Sequence, residues 1–483
     1  MPKQLASHTT GGAAIAAGLS VQWLLHAVSA TVPFPLFGAG AWVIRHSPGS
    51  LATFAIESAG KDAKPGLALG LAVLLVAAGA AIGAGVVRTP ALLVVASLVA
   101  GVIDPVGASA RGLVLAVAGG GLAALVVVVG TEVAFETATP AERRREFIGL
   151  AGSMAACALI FGITARRSTP RAEAELVLPA KRFNAEPDPA FPEVPGLSSQ
   201  ITSPEDHYVV DINFEAPVVS AKDWRLEVEA KGKKTALGLE KILALPSEEL
   251  PVFLECVSNT IGGALASNGL WACVALGDVV SASGLAENYA TVLAHAVDGY
   301  SAAIPAEHLG EVRLAYAMSG EAIPRRHGFP VRLLWPGRYG MLSVKWLTRL
   351  ELLDKRAEGY WAERGWDREG LLETGSRIDV PARSADVKSM LTVAGVAWAR
   401  GGISSVEVSV DEEETWMQAT LEEPLNDLSW RRWQTEVELP AGRSTISARA
   451  TDGSGRPQEA ESNAPHPGGA TGIHRVIVEA KYS

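Results

Sequence analysis

The chain has three cysteines in 483 residues, and none belongs to a Cys-x-x-Cys-His run. Covalent haem attachment through that motif is therefore excluded. The first part of the chain also lacks charge. Residues 1–141 hold only Lys3, Arg45, Glu57, Lys61, Asp62, Lys64, Arg88, Asp104, Arg111, Glu132 and Glu136, against 42 basic and 52 acidic residues in the whole chain. A stretch so poor in charge reads as membrane, and the remainder as a soluble region long enough for two domains. The net charge of −10 lacks the positive excess of a general nucleic-acid binder, and none is expected as a partner.

Long apolar runs fill the charge-poor part. Residues 65–87, between Lys64 and Arg88, are long enough to cross a hydrocarbon core, and 112–131 form a second clear run. Residues 11–30 (with Gln22 and His26), 89–109 (with Asp104) and 147–165 bring the count to five spans, with four the nearest alternative. Only His26 is an ionisable residue well inside a span, whereas a haem held between helices needs two axial ligands. The region reads as an anchor in membrane lipid, rich in Gly and Ala for close helix packing. Arg143-Arg144-Arg145, Arg88 and Lys3 favour a cytoplasmic N-terminus; Arg166, Arg167 and Arg171 pull the other way. The run Arg144-Arg145-Glu146-Phe147-Ile148 resembles a twin-arginine export signal, which tips the balance to a C-terminal region outside the cytoplasm. The expectation is a multi-pass protein of the cell membrane.

Four segments follow: a membrane domain over 1–165, a Pro-rich linker over 166–200, a mixed α+β domain over 201–375, and an all-β domain over 376–483. In the third, strands are expected at 207–212, 224–230, 291–296, 312–317 and 330–335, with a short helix over 277–284 ended by Gly284. In the last, alternating runs at 389–398, 404–410, 432–438, 443–450 and 473–479 indicate an immunoglobulin-like sandwich.

One thiol stands out. Cys256 ends the apolar run Val252-Phe253-Leu254 and precedes Ser258-Asn259 and the pair Gly262-Gly263. That pattern predicts a sharp turn presenting an exposed thiol, with glycines that let backbone amides approach a bulky anion. A lone Cys is more often a small buried hydrophobe, and Cys273 and Cys157 are read that way. A thiolate is nevertheless a soft donor suited to a transition metal, which needs no accompanying base. Downstream, His327 and Arg332 are five apart around Gly328-Phe329-Pro330 and would place an imidazole and a guanidinium beside an anion. Ser343-Val344-Lys345 would add a hydroxyl and a second cation, and Asn259 an amide for a ring edge.

These pieces occur within a longer series. Cys256-Val257-Ser258-Asn259 with Gly262-Gly263, Asp298-Gly299-Tyr300-Ser301, His327-Gly328-Phe329-Pro330-Val331-Arg332, Pro336-Gly337-Arg338-Tyr339-Gly340 and Ser343-Val344-Lys345-Trp346 lead to Ser376-Arg377-Ile378-Asp379-Val380-Pro381. Residues 200–483 thus resemble the sulfite oxidase family of molybdopterin enzymes, in its membrane-anchored actinobacterial branch. The resemblance implies a molybdenum-molybdopterin cofactor with Cys256 as metal ligand and catalytic residue. It implies cofactor contacts from Asn259, Asp298, His327, Arg332, Ser343, Val344 and Lys345. It also implies two-electron oxygen-atom transfer on a small-molecule substrate, an external electron carrier such as a cytochrome, and a possible homodimer through the C-terminal domain.

The departures bear on substrate. Thr260 and Ile261 stand where true sulfite oxidases carry arginines, and His207-Tyr208-Val209-Val210-Asp211-Ile212 lacks the family's early Arg. Sulfite, a small anion, would be poorly compensated, with Arg338 a partial replacement. Trp366 stands where relatives often place a tyrosine. The expectation is an oxidoreductase that is not a true sulfite oxidase. The alternatives are a sulfoxide reductase of the same fold or a non-catalytic surface binding protein.

Overall fold

The computed structural model describes residues 193–213 and 216–481 continuously, together with Phe191 and scattered positions before residue 76. Residues 193–211 and 219–481 lie in one compact unit; the scattered early positions and Ile212–Val218 belong to another. The five expected spans and most of the Pro-rich linker lie outside the described residues. Among those described, no helix is long and apolar enough to cross a membrane.

Alternating residues build the first sheet. Arg225–Ala230 points Leu226, Val228 and Ala230 inward and sends Glu227 and Glu229 outward, where Lys234 pairs with both. The sheet runs Lys233–Gly238, Arg225–Ala230, Leu347–Leu353, Thr291–Ala296, Ser301–Pro305, and one pairing, Arg225–Ala230 with Leu347–Leu353, is parallel.

The second sheet carries the chemistry. Its order is Ser247–Glu255, Ala266–Ala275, Arg313–Met318, Glu321–Ala322, and Arg332–Leu334 also pairs with Arg313–Met318. Both faces of its first strands are buried. Phe253, Ala272 and Val274 join the main core, whereas Val252, Leu254, Trp271 and Cys273 pack on the opposite face with Met318 and Leu334. That double burial explains the unbroken apolar runs in this stretch. Cys273 is packing, as read from the sequence. Because Glu255 pairs with Ala266, residues 256–265 form the connecting loop of an antiparallel hairpin, and Cys256 is its first residue.

The expected helix forms as Leu276–Ala282, with Gly284 at φ +72 just beyond it. The expected strand at 207–212 does not form. That stretch is coil: the alternation of buried His207 reflects side-chain packing, and no neighbouring strand supplies a ladder.

The C-terminal region is two facing sheets. One runs Gly375–Val380, Met390–Trp398, Arg431–Glu438, Thr420–Leu421; the other runs Asp386–Lys388, His474–Lys481, Gly442–Asp452, Ile403–Ser409, Met417–Gln418. Val393, Trp433 and Val437 from the first meet Val406, Ile446, Ala448, Val476 and Val478 from the second. The short strands Asp386–Lys388, Met417–Gln418 and Thr420–Leu421 were missed in the sequence because two or three residues carry no measurable period. Phe253 stacks on Trp398 of the sandwich at 4.9 Å and donates its N–H to Leu428 O at 2.8 Å, so the two regions share core.

Candidate molybdopterin site

The hairpin loop is internally braced. Cys256 N–H donates to Leu265 O (2.9 Å), Asn259 N–H to Cys256 O (2.9 Å), and the Cys256 thiol lies 3.0 Å from Ser258 Oγ. The thiol is buried, which corrects the exposed position expected from the sequence: the hairpin turns inward against the core. Burial pushes its pKa above the ordinary thiol value, and contact with Ser258 opposes this. Asn259 is held within the loop. Its Nδ2 donates to Glu255 Oε1 (2.8 Å) and its Oδ1 accepts from Leu265 N–H (3.0 Å), so the amide bridges the two ends of the loop. Desolvation raises the Glu255 carboxyl to about 7.

Arg332 is buried and makes no ion pair with any described residue. Its guanidinium donates only to carbonyls, those of His327 (3.0 Å), Ser343 (3.3 Å) and Leu333 (3.4 Å), and lies 5.0 Å from the Trp271 ring. Burial draws its pKa down to about 10, still well above neutral, so the buried group is a cation. An uncompensated buried cation is costly and marks a place where an anion belongs.

His327 and His207 sit beside it, ring centroids 5.1 Å apart. His327 Nε2–H donates to Pro204 O (2.7 Å), and His207 Nδ1–H to Tyr208 O (3.2 Å). His207 Nε2 is buried with no partner among the described residues. Burial, reinforced by Arg332, lowers His207 to about 3; burial and His207 lower His327 to about 2. Both rings are neutral; His207 Nε2 is an acceptor for a ligand N–H or O–H, whereas His327 Nε2 is engaged by Pro204 O and by Arg326 Nε (3.3 Å).

The other expected residues divide. Lys345 Nζ pairs with Asp211 (3.0 Å), so its charge is largely answered within the protein. Ser343 Oγ accepts from Trp335 N–H (3.1 Å), leaving its own proton to give, and buried Val344 accepts from Leu333 N–H (2.8 Å). Asp298 accepts from Tyr300 N–H (3.0 Å) and shapes that turn. Arg338 lies over Trp335 at 4.1 Å and lines a cavity of about 410 Å³ with Tyr300, Met341 and Trp361.

Sequence reasoning missed Tyr208. Its ring stacks on His207 at 5.3 Å, and its hydroxyl makes no hydrogen bond to any described residue. The hydroxyl lies over Gly340: a Cβ there would be 2.3 Å from it and 3.3 Å from Glu255 O, beside Cys256. By contrast the Tyr300 hydroxyl donates to Met341 O (2.5 Å), and Trp366 packs against Trp361 and His466. A phenol near the thiol is therefore present, from a different element. No local signal identifies it, since its meaning comes from the fold.

The neutral histidines give a pH prediction. An unfolded His titrates near 6.5, whereas His207, His327 and His474 stay neutral in the fold to about 3, 2 and 4. Between those values the unfolded chain binds more protons, so stability is full above pH 6.5 and falls as pH drops, by about 1.4 kcal/mol per unit for each histidine. Unfolding free energies from urea titrations at pH 7 and 5 should differ by several kcal/mol, less what the raised Glu255 carboxyl returns over the same range, and His207→Gln should flatten the slope.

The comparisons concern the two domains that carry these residues. Residues 213–361 match the oxidoreductase molybdopterin binding domain, and 373–464 match the Mo-co oxidoreductase dimerisation domain. Mitochondrial sulfite oxidase of Drosophila melanogaster is 29% identical over 342 residues, covering 59% of each chain. The Mus musculus enzyme is 30% identical, covering 58% of this chain and 61% of its own. The chain thus spans about 60% of the length of these curated relatives. The sulfane dehydrogenase SoxCD of Paracoccus pantotrophus shares the fold, with a TM-score of 0.52 at 20% identity over 62% of this chain and 90% of its own. The described site lies on these two matched domains, and in both the chain is similar to the sulfite oxidase family of molybdopterin-dependent oxidoreductases.

Proposed function

We propose that the chain catalyses two-electron oxygen-atom transfer on a small substrate, outside the cytoplasm, tethered to the membrane by its N-terminal spans. The observation that carries the cofactor assignment is Arg332, a buried cation answered only by carbonyls. It would hold the cofactor phosphate, with the lone pair of His207 Nε2 accepting a ring N–H group and the Ser343 hydroxyl donating. Cys256 would be the protein's ligand to molybdenum. When bound, the group supplies the two-electron redox centre that exchanges oxygen with substrate. The chain's own residues do the rest. The Asn259 bridge fixes the loop, and the Tyr208 hydroxyl, with no hydrogen bond to any described residue, would donate to the substrate oxygen.

The substrate is neutral or weakly anionic in this reading. Thr260 and Ile261 border a crevice of only about 10 Å³, with room for no more than a water, and neither side chain offers a cation to a substrate anion. That observation favours a sulfoxide-reducing direction as the second reading. Electrons would pass to or from a separate carrier, a cytochrome or similar, and the matched dimerisation domain is the basis for proposing a homodimer.

Purified holoenzyme assayed with sulfite and ferricyanide, and with methionine sulfoxide and a reduced viologen, tests both directions. About one molybdenum and one pterin per chain is the expected content. Micromolar KM for sulfite would overturn the substrate reading, and absence of both metal and pterin, from a host that makes the cofactor, would overturn the enzyme reading. Tyr208→Phe should keep the cofactor and lower kcat/KM on the order of 10²-fold for the productive substrate. An unchanged kcat/KM would remove Tyr208 from the reacting site.

A further inference from the structure

Two side chains of the β-sandwich touch the loop that begins at Cys256. Arg377, in the strand Gly375–Val380, donates from Nη1 to Gly263 O at 3.2 Å. Its Nε and Nη2 are fixed by Asp379 Oδ1 (2.7 Å) and Ser198 Oγ (2.9 Å), and Asp379 also accepts from Ser198 N–H (3.1 Å). His474, at the start of His474–Lys481, accepts from Ile378 N–H through Nδ1 at 3.0 Å. The ring proton therefore sits on Nε2. That nitrogen faces Gly262, which has φ +76 and so little room that a Cβ would lie 2.2 Å from it.

Both contacts fall on the Gly262-Gly263 pair, the point of the loop with the greatest backbone freedom. From there the constraint passes inward. A Cβ at Gly263 would be 2.3 Å from Asn259 Oδ1, so Gly263 lies against the amide whose other end holds Glu255, the neighbour of Cys256.

We propose that Arg377 and His474 are positioning residues for the Cys256 loop, which makes the C-terminal sandwich part of the cofactor site in addition to any role in pairing. The cofactor half of this statement rests on the reading of Cys256 as metal ligand; the clamp on the loop does not.

The test uses the full-length protein with Arg377→Ala, Arg377→Lys and Gly262→Ala. Hydrogen exchange of peptides covering 256–265 is measured on cofactor-free protein, and release of molybdenum and pterin on loaded protein during dialysis. Arg377→Ala should speed loop exchange at least tenfold while the strands Met390–Trp398 and Gly442–Asp452 stay protected, and should speed cofactor release at least tenfold. Arg377→Lys should recover part of both. If Arg377→Ala loosens the sandwich itself, Arg377→Lys decides, because it keeps a cation beside Asp379 while shortening the reach to Gly263 O. Unchanged loop exchange and unchanged release in Arg377→Ala and Gly262→Ala would overturn the proposal. A wild-type protein without molybdenum would defeat the metal-ligand reading alone, and the exchange measurements would still decide the clamp.

Discussion

Replacing Arg332 by glutamine should leave the cofactor-free protein at least as stable as wild type and abolish its hold on the cofactor. The two effects have one cause. In the cofactor-free fold the guanidinium is buried beside Trp271, bonded to three carbonyls and to no carboxylate. Its desolvation is met only in part, and two neutral imidazoles add nothing to balance it. Glutamine still reaches a carbonyl and brings no charge, so thermal midpoints without cofactor should match or rise. With an anion bound the balance reverses. Removing one partner of a buried charge pair costs about 3–5 kcal/mol, or between two and four orders of magnitude in affinity. The rise in midpoint that loading gives the wild type should vanish in the variant. A cofactor-free variant melting more than about 10 °C below wild type would show that the guanidinium serves the fold, and the anion site would have to lie elsewhere.

The same residue shows what the sequence makes legible. His327 and Arg332 are close in sequence, and the intervening Gly328 at φ +115 fixes their separation locally, so a short motif suffices to find them. Cys256 is found for a similar reason: an apolar strand, a polar pair and two glycines define a hairpin loop within ten residues. What the motif cannot give is environment. Whether the thiol faces solvent or core depends on strands added later, and it was placed on the wrong side. Asn259 and Lys345 were read as ligand contacts because their chemistry suits the cofactor. The fold gives each a partner first, Glu255 in one case and Asp211 in the other. Tyr208 and Arg377 were out of reach. The Tyr208 hydroxyl meets Gly340, and Arg377 meets Gly263, across more than a hundred residues in each pair, and no period or spacing encodes such a meeting. Long-range contacts of this kind separate a recognisable cofactor site from its substrate preference.

Cys256→Ser should retain pterin and lose turnover by on the order of 10³-fold or more, about 4 kcal/mol in the barrier. Pterin retention follows from the separation of parts: Arg332, His207 and His327 sit on other elements and do not depend on the thiol. Loss of turnover follows from the ligand chemistry. Metal ligation requires a deprotonated donor, and a serine hydroxyl is a harder and far weaker acid than a thiol. The titration adds a second readout. Burial holds the Cys256 thiol above its ordinary pKa, so at pH 7 the cofactor-free protein carries a protonated thiol. Loading the metal must then release that proton, and metal affinity should rise with pH until the thiol ionises by itself. A serine left unligated at neutral pH releases no proton on loading, so molybdenum retention in the variant should be weaker and should lose this pH dependence. In wild type without cofactor, iodoacetamide should react with Cys256 slowly at pH 7, and loaded protein should resist it altogether. If the serine variant kept both turnover and the pH dependence of metal retention, Cys256 would be a packing residue like Cys273, and the metal would need another ligand.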